Sequence, residues 1–390
     1  MPNAPHAPSA SNAPAGSPPS TAALASLCGP LVIGGFAGTS LPSAYERALR
    51  EERRGGAIVF SANVAEGLEQ TAALARQVHA ASRAAPSALA PLLGIDQEGG
   101  RVVRLRAPFL SVPPMAKVAA WGDAGFAERI AHAMGSELAA LGVTIDFAPV
   151  LDVNTCAHNP IIGDRAFGDD PDVCATFGAA WIRGLQSAGV LATGKHFPGH
   201  GDTSKDSHLE LPVVDQPRNR LERVELAPFR AAARAGVAAL MTAHVVYPAL
   251  DPDKPATLSY AICTELREAI GFRGILVSDD LEMRAISAHG STGDAAVLAV
   301  AAGCDALLVC HSFEAQETVV EALVHEASRS AAFRARCESA KARVVEARQR
   351  TERTGRGPLA DDAIRGVVGG AESSAVAEAM RRMWSIHSPS

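Results

Sequence analysis

Residues 275–283 read ILVSDDLEM. Three apolar residues, Ile275 to Val277, run into Ser278, Asp279 and Asp280. A short run that is apolar on both faces suits a strand buried in a parallel sheet. An acid at the end of such a strand sits where barrel enzymes build their active sites. The pattern recurs in seven other runs: Leu31–Phe36, Ala57–Phe60, Leu92–Ile95, Thr144–Val150, Leu191–Gly194, Ala239–Thr242 and Ala306–Val309. Polar groups again follow the runs: Asp96 the third, Asp152 and Asn154 the fourth, Lys195 and His196 the fifth, and His244 the sixth.

Helical patterns lie between the runs. Phe126, Ile130, Met134, Leu138 and Leu141 make one apolar face. Asp170-Pro171 reads as a capping residue followed by proline at the first helical position. A further helix is expected from Leu221 to Ala235, with a kink or restart at Pro228. Gly142, Gly189, Gly236, Gly274 and Gly303 stand where helix C-terminal caps belong. This alternation predicts an α/β fold, a (β/α)8 TIM-type barrel in a single domain. An open doubly wound sheet is the other arrangement it allows. Polar residues gathered at one end of the strands favour the barrel.

The chain has 390 residues, of which 47% are hydrophobic and 20% charged, so it can bury a large core. A net charge of −6 argues against a nucleic-acid partner. No apolar run reaches the ~18 residues of a membrane span, and no secretory signal is visible. Seven cysteines without CxxC spacing fit reduced thiols in a cytoplasmic protein. Residues 1–20, rich in Ala, Pro and Ser, read as a disordered tail. Residues 21–390 are expected to form the barrel domain with C-terminal helices: a mixed-charge helix over Ala331–Arg350, then a short one carrying Met380, Met383 and Trp384.

Three stretches hold groups able to do chemistry. Residues 194–212, GKHFPGHGDTSKDSHLELP, place Lys195, His196, His200, Asp202, Asp206 and His208 in a loop broken by Pro198, Gly199 and Gly201. Histidines and acids here can bind metal or transfer protons. Asp206 lies two residues from His208 and can fix its tautomer and raise its pKa. In ILVSDDLEM, Asp279 is the candidate nucleophile, while Asp280 can bond backbone amides of the next turn. In DQEGGRVVR, residues 96–104, Asp96 can accept from sugar hydroxyls, and Arg101 and Arg104 can donate. Arg165, in IIGDRAFG, is a further candidate.

Together, IDQEGGRVVRL, DFAPVLDVN, GKHFPGHGDTSKDSH, MTAHVVYP and ILVSDDLEM strongly resemble glycoside hydrolase family 3, and within it the NagZ-type β-N-acetylglucosaminidases of peptidoglycan recycling. The resemblance spans roughly Leu31 to His311. It implies a retaining exo-acting hydrolase of a small carbohydrate or muropeptide, with no metal and no cofactor. By position, Asp279 matches the nucleophile, His208 the general acid/base and Asp206 its orienting partner. Asp96, Arg104, Arg165, Lys195 and His196 match the residues that hold the terminal sugar; His200 and Asp202 look like support for them. The loop carrying His208 is expected to move. Family members that cleave glucosides often carry a second sandwich domain, for which no room remains after residue 311. Nothing demands more than a monomer. Two rival readings are a phosphorylase, with phosphate replacing water, and a metal-dependent barrel hydrolase.

Overall fold

The computed structural model describes residues 19–203, 211–287, 290–354 and 357–387. Eight parallel strands form a closed barrel: β1 (Val32–Gly34), β2 (Gly56–Val59), β3 (Leu92–Ile95), β4 (Ile145–Asp146), β5 (Leu191–Phe197), β6 (Ala239–Thr242), β7 (Ile275–Asp280) and β8 (Ala306–Val309). Each pairs with its neighbours in sequence. The ring shuts where Val32, Ile33 and Gly34 of β1 pair with Leu307, Leu308 and Val309 of β8. The strands are buried along their length because helices cover the barrel outside and side chains fill it inside.

All eight expected runs are strands; Leu92–Ile95, Ala239–Thr242 and Ala306–Val309 have the expected ends, and the other five have shifted ones. The fourth is much shorter than Thr144–Val150. Pro149 has no N–H to give a ladder, so β4 stops at Asp146 and pairing resumes as a single bridge between Val150 and Lys195. The fifth and seventh run further than expected, to Phe197 and Asp280, and carry functional side chains within the strand itself.

The helix over Ala124–Leu141 is capped by Asp123, whose carboxylate accepts from the Phe126 amide at 2.8 Å. Asp170 caps Pro171–Ser187 by accepting from the amides of Asp172 and Val173. Such caps contribute about 1 kcal/mol each. The helix expected over Leu221–Ala235 is instead two, Arg218–Arg223 and Leu226–Arg234. The break precedes Pro228, which lies in the first turn of the second helix, where a missing N–H costs no intrahelical bond. Gly274 is not a helix cap either. Gly271, at φ 75°, makes that turn, and Gly274 allows close strand approach: a Cβ there would meet the Ala238 carbonyl oxygen at 2.2 Å.

Most of the expected tail, residues 1–20, lies outside the described residues. Ser20 accepts from the Ala23 amide and caps the helix Thr21–Cys28. At the other end the chain runs through Phe313–Arg329, Ala331–Arg353, Asp361–Val367 and Ala371–His387. Met380 is buried, and Lys117 Nζ sits 4.7 Å above the half-exposed Trp384 ring. A polar clasp ties the helix Phe313–Arg329 to the start of β2. The fully buried Arg54 donates to Gln316 Oε1 at 3.0 Å and pairs with Glu317 at 2.7 Å, and Arg53 also pairs with Glu317. Among the described residues no helix is long and apolar enough to cross a membrane.

Candidate active site

A cleft of about 460 Å³ opens at the C-terminal ends of the strands. At its floor an ion network joins β3, β5 and the loop after β4. Lys195 Nζ donates to Asp96 Oδ1 at 2.9 Å and lies 2.6 Å from Glu98 Oε1. Arg104 Nη2 donates to the other oxygen of Asp96 at 2.9 Å. Arg165 grips Glu98 with two parallel bonds of 2.8 Å, Nε to Oε2 and Nη2 to Oε1. Burial works to raise both carboxyls, but the cations outweigh it. Lys195 and Arg104 hold Asp96 below the usual range, and Lys195 and Arg165 hold Glu98 far below it. Burial works against the Lys195 ammonium in turn, and the two carboxylates raise it above its ordinary value. Every member is therefore charged near neutrality. Each Asp96 oxygen keeps a lone pair, and the ammonium a proton, for sugar hydroxyls, whereas Glu98 Oε1 is filled by Lys195 and Arg165.

Beneath this network Asp146, at the end of β4, behaves differently. Burial pushes its carboxyl well above the usual range, and its Oδ1 accepts from the Gln97 amide at 2.9 Å.

Asp152 organises the histidines. Its Oδ2 accepts from His196 Nδ1 at 2.7 Å, and its Oδ1 accepts from the His196 and His200 amides at 3.0 and 2.7 Å. Burial opposes the Asp152 charge, and the histidines hold its carboxyl below the ordinary value. An ionised carboxylate only accepts, so His196 carries a proton on Nδ1. Burial lowers His200 to about 4, keeping it neutral, with Nδ1 2.8 Å from Thr203 Oγ1. Two contacts fix the backbone here. Gly201 lies so close to the segment after β4 that a Cβ would meet the Val153 carbonyl oxygen at 1.8 Å. The buried Tyr247 hydroxyl, on the short hairpin after β6, donates to the Gly199 carbonyl at 2.7 Å.

The two acids that end β7 diverge. Burial would raise the Asp279 carboxyl, but His244 and His196 hold it below its ordinary value, and its Oδ1 accepts from the Asp280 amide at 2.8 Å. Burial raises Asp280 to about 6, with the Asp279 charge adding to the effect; its Oδ1 accepts from the amides of Glu282 and Cys310. Neighbouring carboxyls driven apart in this way mark a division of roles. Asp279 is ionised and faces the cleft, while Asp280 braces the turn after β7. His244 supports both, its Nε2 lying 2.9 Å from the Asp280 carbonyl oxygen. At the mouth, Phe60 stacks on His311 at 5.7 Å and lies beneath the Arg104 guanidinium.

Asp96, Arg104, Arg165, Lys195, His196, His200 and Asp279 all line this cleft. Asp206 and His208, with the movement expected of their loop, lie outside the described residues. Arg101 does not reach the cleft; it donates to the carbonyls of Ile161 and Ile162 and steadies the loop that carries Arg165. Asp202 turns away, accepting from Thr155 and Gln216. Glu98 was not among the expected site residues, although it stands inside DQEGG; nothing local in the sequence shows that it meets Arg165. Asp152, His244 and Tyr247 likewise act through partners remote in sequence. Among the described residues no three His, Cys, Asp or Glu side chains converge as metal ligands would.

Residues 38–347 match the glycosyl hydrolase family 3 N-terminal domain. The chain is 43% identical over 305 residues to a β-hexosaminidase of Alkalilimnicola ehrlichii, covering 76% of this chain and 85% of that protein. It superimposes with a TM-score of 0.82 and 38% identity on a family 3 β-N-acetylglucosaminidase from Paenibacillus, over 92% of this chain and 68% of that one. A third likeness is to NagZ from Neisseria gonorrhoeae in complex with N-trifluoroacetyl-D-glucosamine, with a TM-score of 0.74 and 29% identity over 91% of this chain and 98% of that one.

Proposed function

The chain belongs to glycosyl hydrolase family 3, and we propose that it removes terminal non-reducing N-acetylglucosamine from muropeptides through a covalent bond to Asp279. It is a glycoside hydrolase of the β-N-acetylhexosaminidase kind. The observation that carries the finer reading is the Asp279 carboxylate: held ionised by His244 and His196, one oxygen engaged by the Asp280 amide, beside the charged floor built on Asp96, Glu98 and Lys195.

In this mechanism Asp96, Lys195, Arg104 and Arg165 hold the hydroxyls and carbonyl of the terminal sugar. Asp279 attacks the anomeric carbon as the bond to the leaving oxygen breaks, and that oxygen takes its proton from His208. Water then gives a proton to His208 and attacks the same carbon, which releases Asp279. Two displacements retain the anomeric configuration. Asp206 orients His208. A histidine in place of the usual second carboxylate carries no negative charge when deprotonated. Soluble wall fragments in the cytoplasm are the substrate that this reading requires.

The test is hydrolysis of a chromogenic β-N-acetylglucosaminide, with the matching β-glucoside run alongside. Asp279→Ala is expected to lose about 10⁴-fold or more in kcat/KM, the scale for removing a covalent nucleophile. His208→Ala should keep much of its rate on this activated leaving group and little on an alkyl aglycone. NMR should show the β-anomer as the first product. Full activity in Asp279→Ala, or activity only after metal is added, would overturn the reading. A sugar phosphate formed in phosphate buffer would assign the second step to phosphate.

A further inference from the structure

On the face opposite the cleft, where the strands begin, lies a second cavity of about 420 Å³. The helix Ala331–Arg353, the segment before β7 and the turn before β8 enclose it. Arg267, Arg273, Arg336 and Arg343 line it, with Glu268 the one acid among its lining residues. Three of these arginines converge on the fully buried Asp305: Arg267 Nη1 at 2.8 Å, Arg336 Nη2 at 2.8 Å and Arg343 Nη1 at 3.0 Å. The same carboxylate also accepts from the Leu276 amide at 2.9 Å. One carboxylate cannot neutralise three guanidiniums, so the cluster is positive before Arg273 is considered.

Bracing Asp305 does not account for the rest of the charge. Arg273 is exposed at the rim and makes no hydrogen bond or ion pair among the described residues. Arg336 Nη1 is buried and has no partner among them either. A buried donor without an acceptor is destabilising. An oxyanion in the cavity would supply both the acceptor and the missing negative charge, in the planar, forked geometry that guanidiniums recognise. The volume leaves room beyond a phosphate for a body of small-molecule size. Tyr260, 57% exposed, offers a ring face at the rim.

We propose that this cavity binds a small phosphorylated compound, its phosphate held by Arg336, Arg343 and Arg273 and its ring lying against Tyr260. The site shares no residue with the cleft and does not depend on the chemistry assigned to Asp279.

The test is calorimetric titration of the full chain with inorganic phosphate and with glucose 6-phosphate, the cleft being saturated with N-acetylglucosamine. One saturable site is expected, binding the sugar phosphate at least as tightly as phosphate. Arg273→Ala should weaken it about tenfold, the effect of one lost charged contact. Arg273→Ala is a rim substitution, so its melting temperature and its hydrolysis rate should match wild type. Adding Arg343→Gln should weaken binding further. No binding of either probe at about 10 mM, equal binding by wild type and both variants, or displacement by N-acetylglucosamine would each overturn the proposal.

Discussion

At the cleft, Asp96, Glu98, Asp152 and Asp279 face Lys195, Arg104, Arg165 and His196; at the opposite end of the barrel, Asp305 alone meets Arg267, Arg336 and Arg343. Both ends bury charge, in opposite proportions. Acids at the cleft are at least as many as the cations that line it, and the spare lone pairs of Asp96 face the space a sugar would fill. At the far end the acid is saturated and the cations have spare N–H groups. Burial by itself therefore does not decide what a charged cluster is for. The sign that remains after pairing decides which kind of ligand can complete it.

The sharpest way to break this contrast is to remove Asp305. Asp305→Ala would leave three guanidiniums, one of them buried, without their common partner, at a cost of about 3–5 kcal/mol. A large fall in melting temperature is expected, with kcat/KM unchanged where the protein is folded. Asp279→Ala should do the reverse, keeping stability and losing turnover. A loss of activity in Asp305→Ala without loss of stability would show that the two ends are not separable.

Asp280 gives an effect of intermediate size. Its folded value of about 6 lies above the ordinary carboxyl value near 4. The folded state therefore binds its proton more tightly than the unfolded chain does. The resulting stabilisation is full below about pH 4 and is lost as pH rises through about 6, a change of about 3 kcal/mol. In denaturant titrations, the stability of wild type relative to Asp280→Asn should decline over that window. A flat difference would show that Asp280 is not the group that titrates.

The smallest effect tests the anchoring of the histidine loop. Tyr247→Phe deletes one buried donor to the Gly199 carbonyl and should cost about 1–2 kcal/mol. Stability should fall by that amount and KM should rise. An unchanged protein would mean that Gly201, seated against Val153, holds the loop unaided.

The barrel was legible because the strands read as short apolar runs and five of the eight are followed by polar groups. Strand ends were less legible. The early stop of β4 follows from Pro149, and the extension of β7 to Asp280 reflects pairing with β8 that no local pattern encodes. Within the cleft, Asp96, Lys195 and Asp279 could be singled out because each comes at the end of an apolar run. Glu98 could not, since its meaning depends on Arg165, 67 positions away. Asp152 could be placed after the fourth run, but its role could not be read, because its bonds to His196 and His200 span more than forty residues. Asp206 and His208 stand on their motif alone.

The clasp of Arg54 to Gln316 and Glu317 has a consequence for how the chain comes together. It joins residues about 260 apart, and the pairing of β1 with β8 spans a similar distance. Closing so long a loop carries a large entropic cost, and contacts of this range slow folding. While the chain is being synthesised, Val32–Gly34 has an unpaired edge until Ala306–Val309 emerges. A chain cut before residue 306 keeps that edge open, an apolar strand ready to pair with another copy.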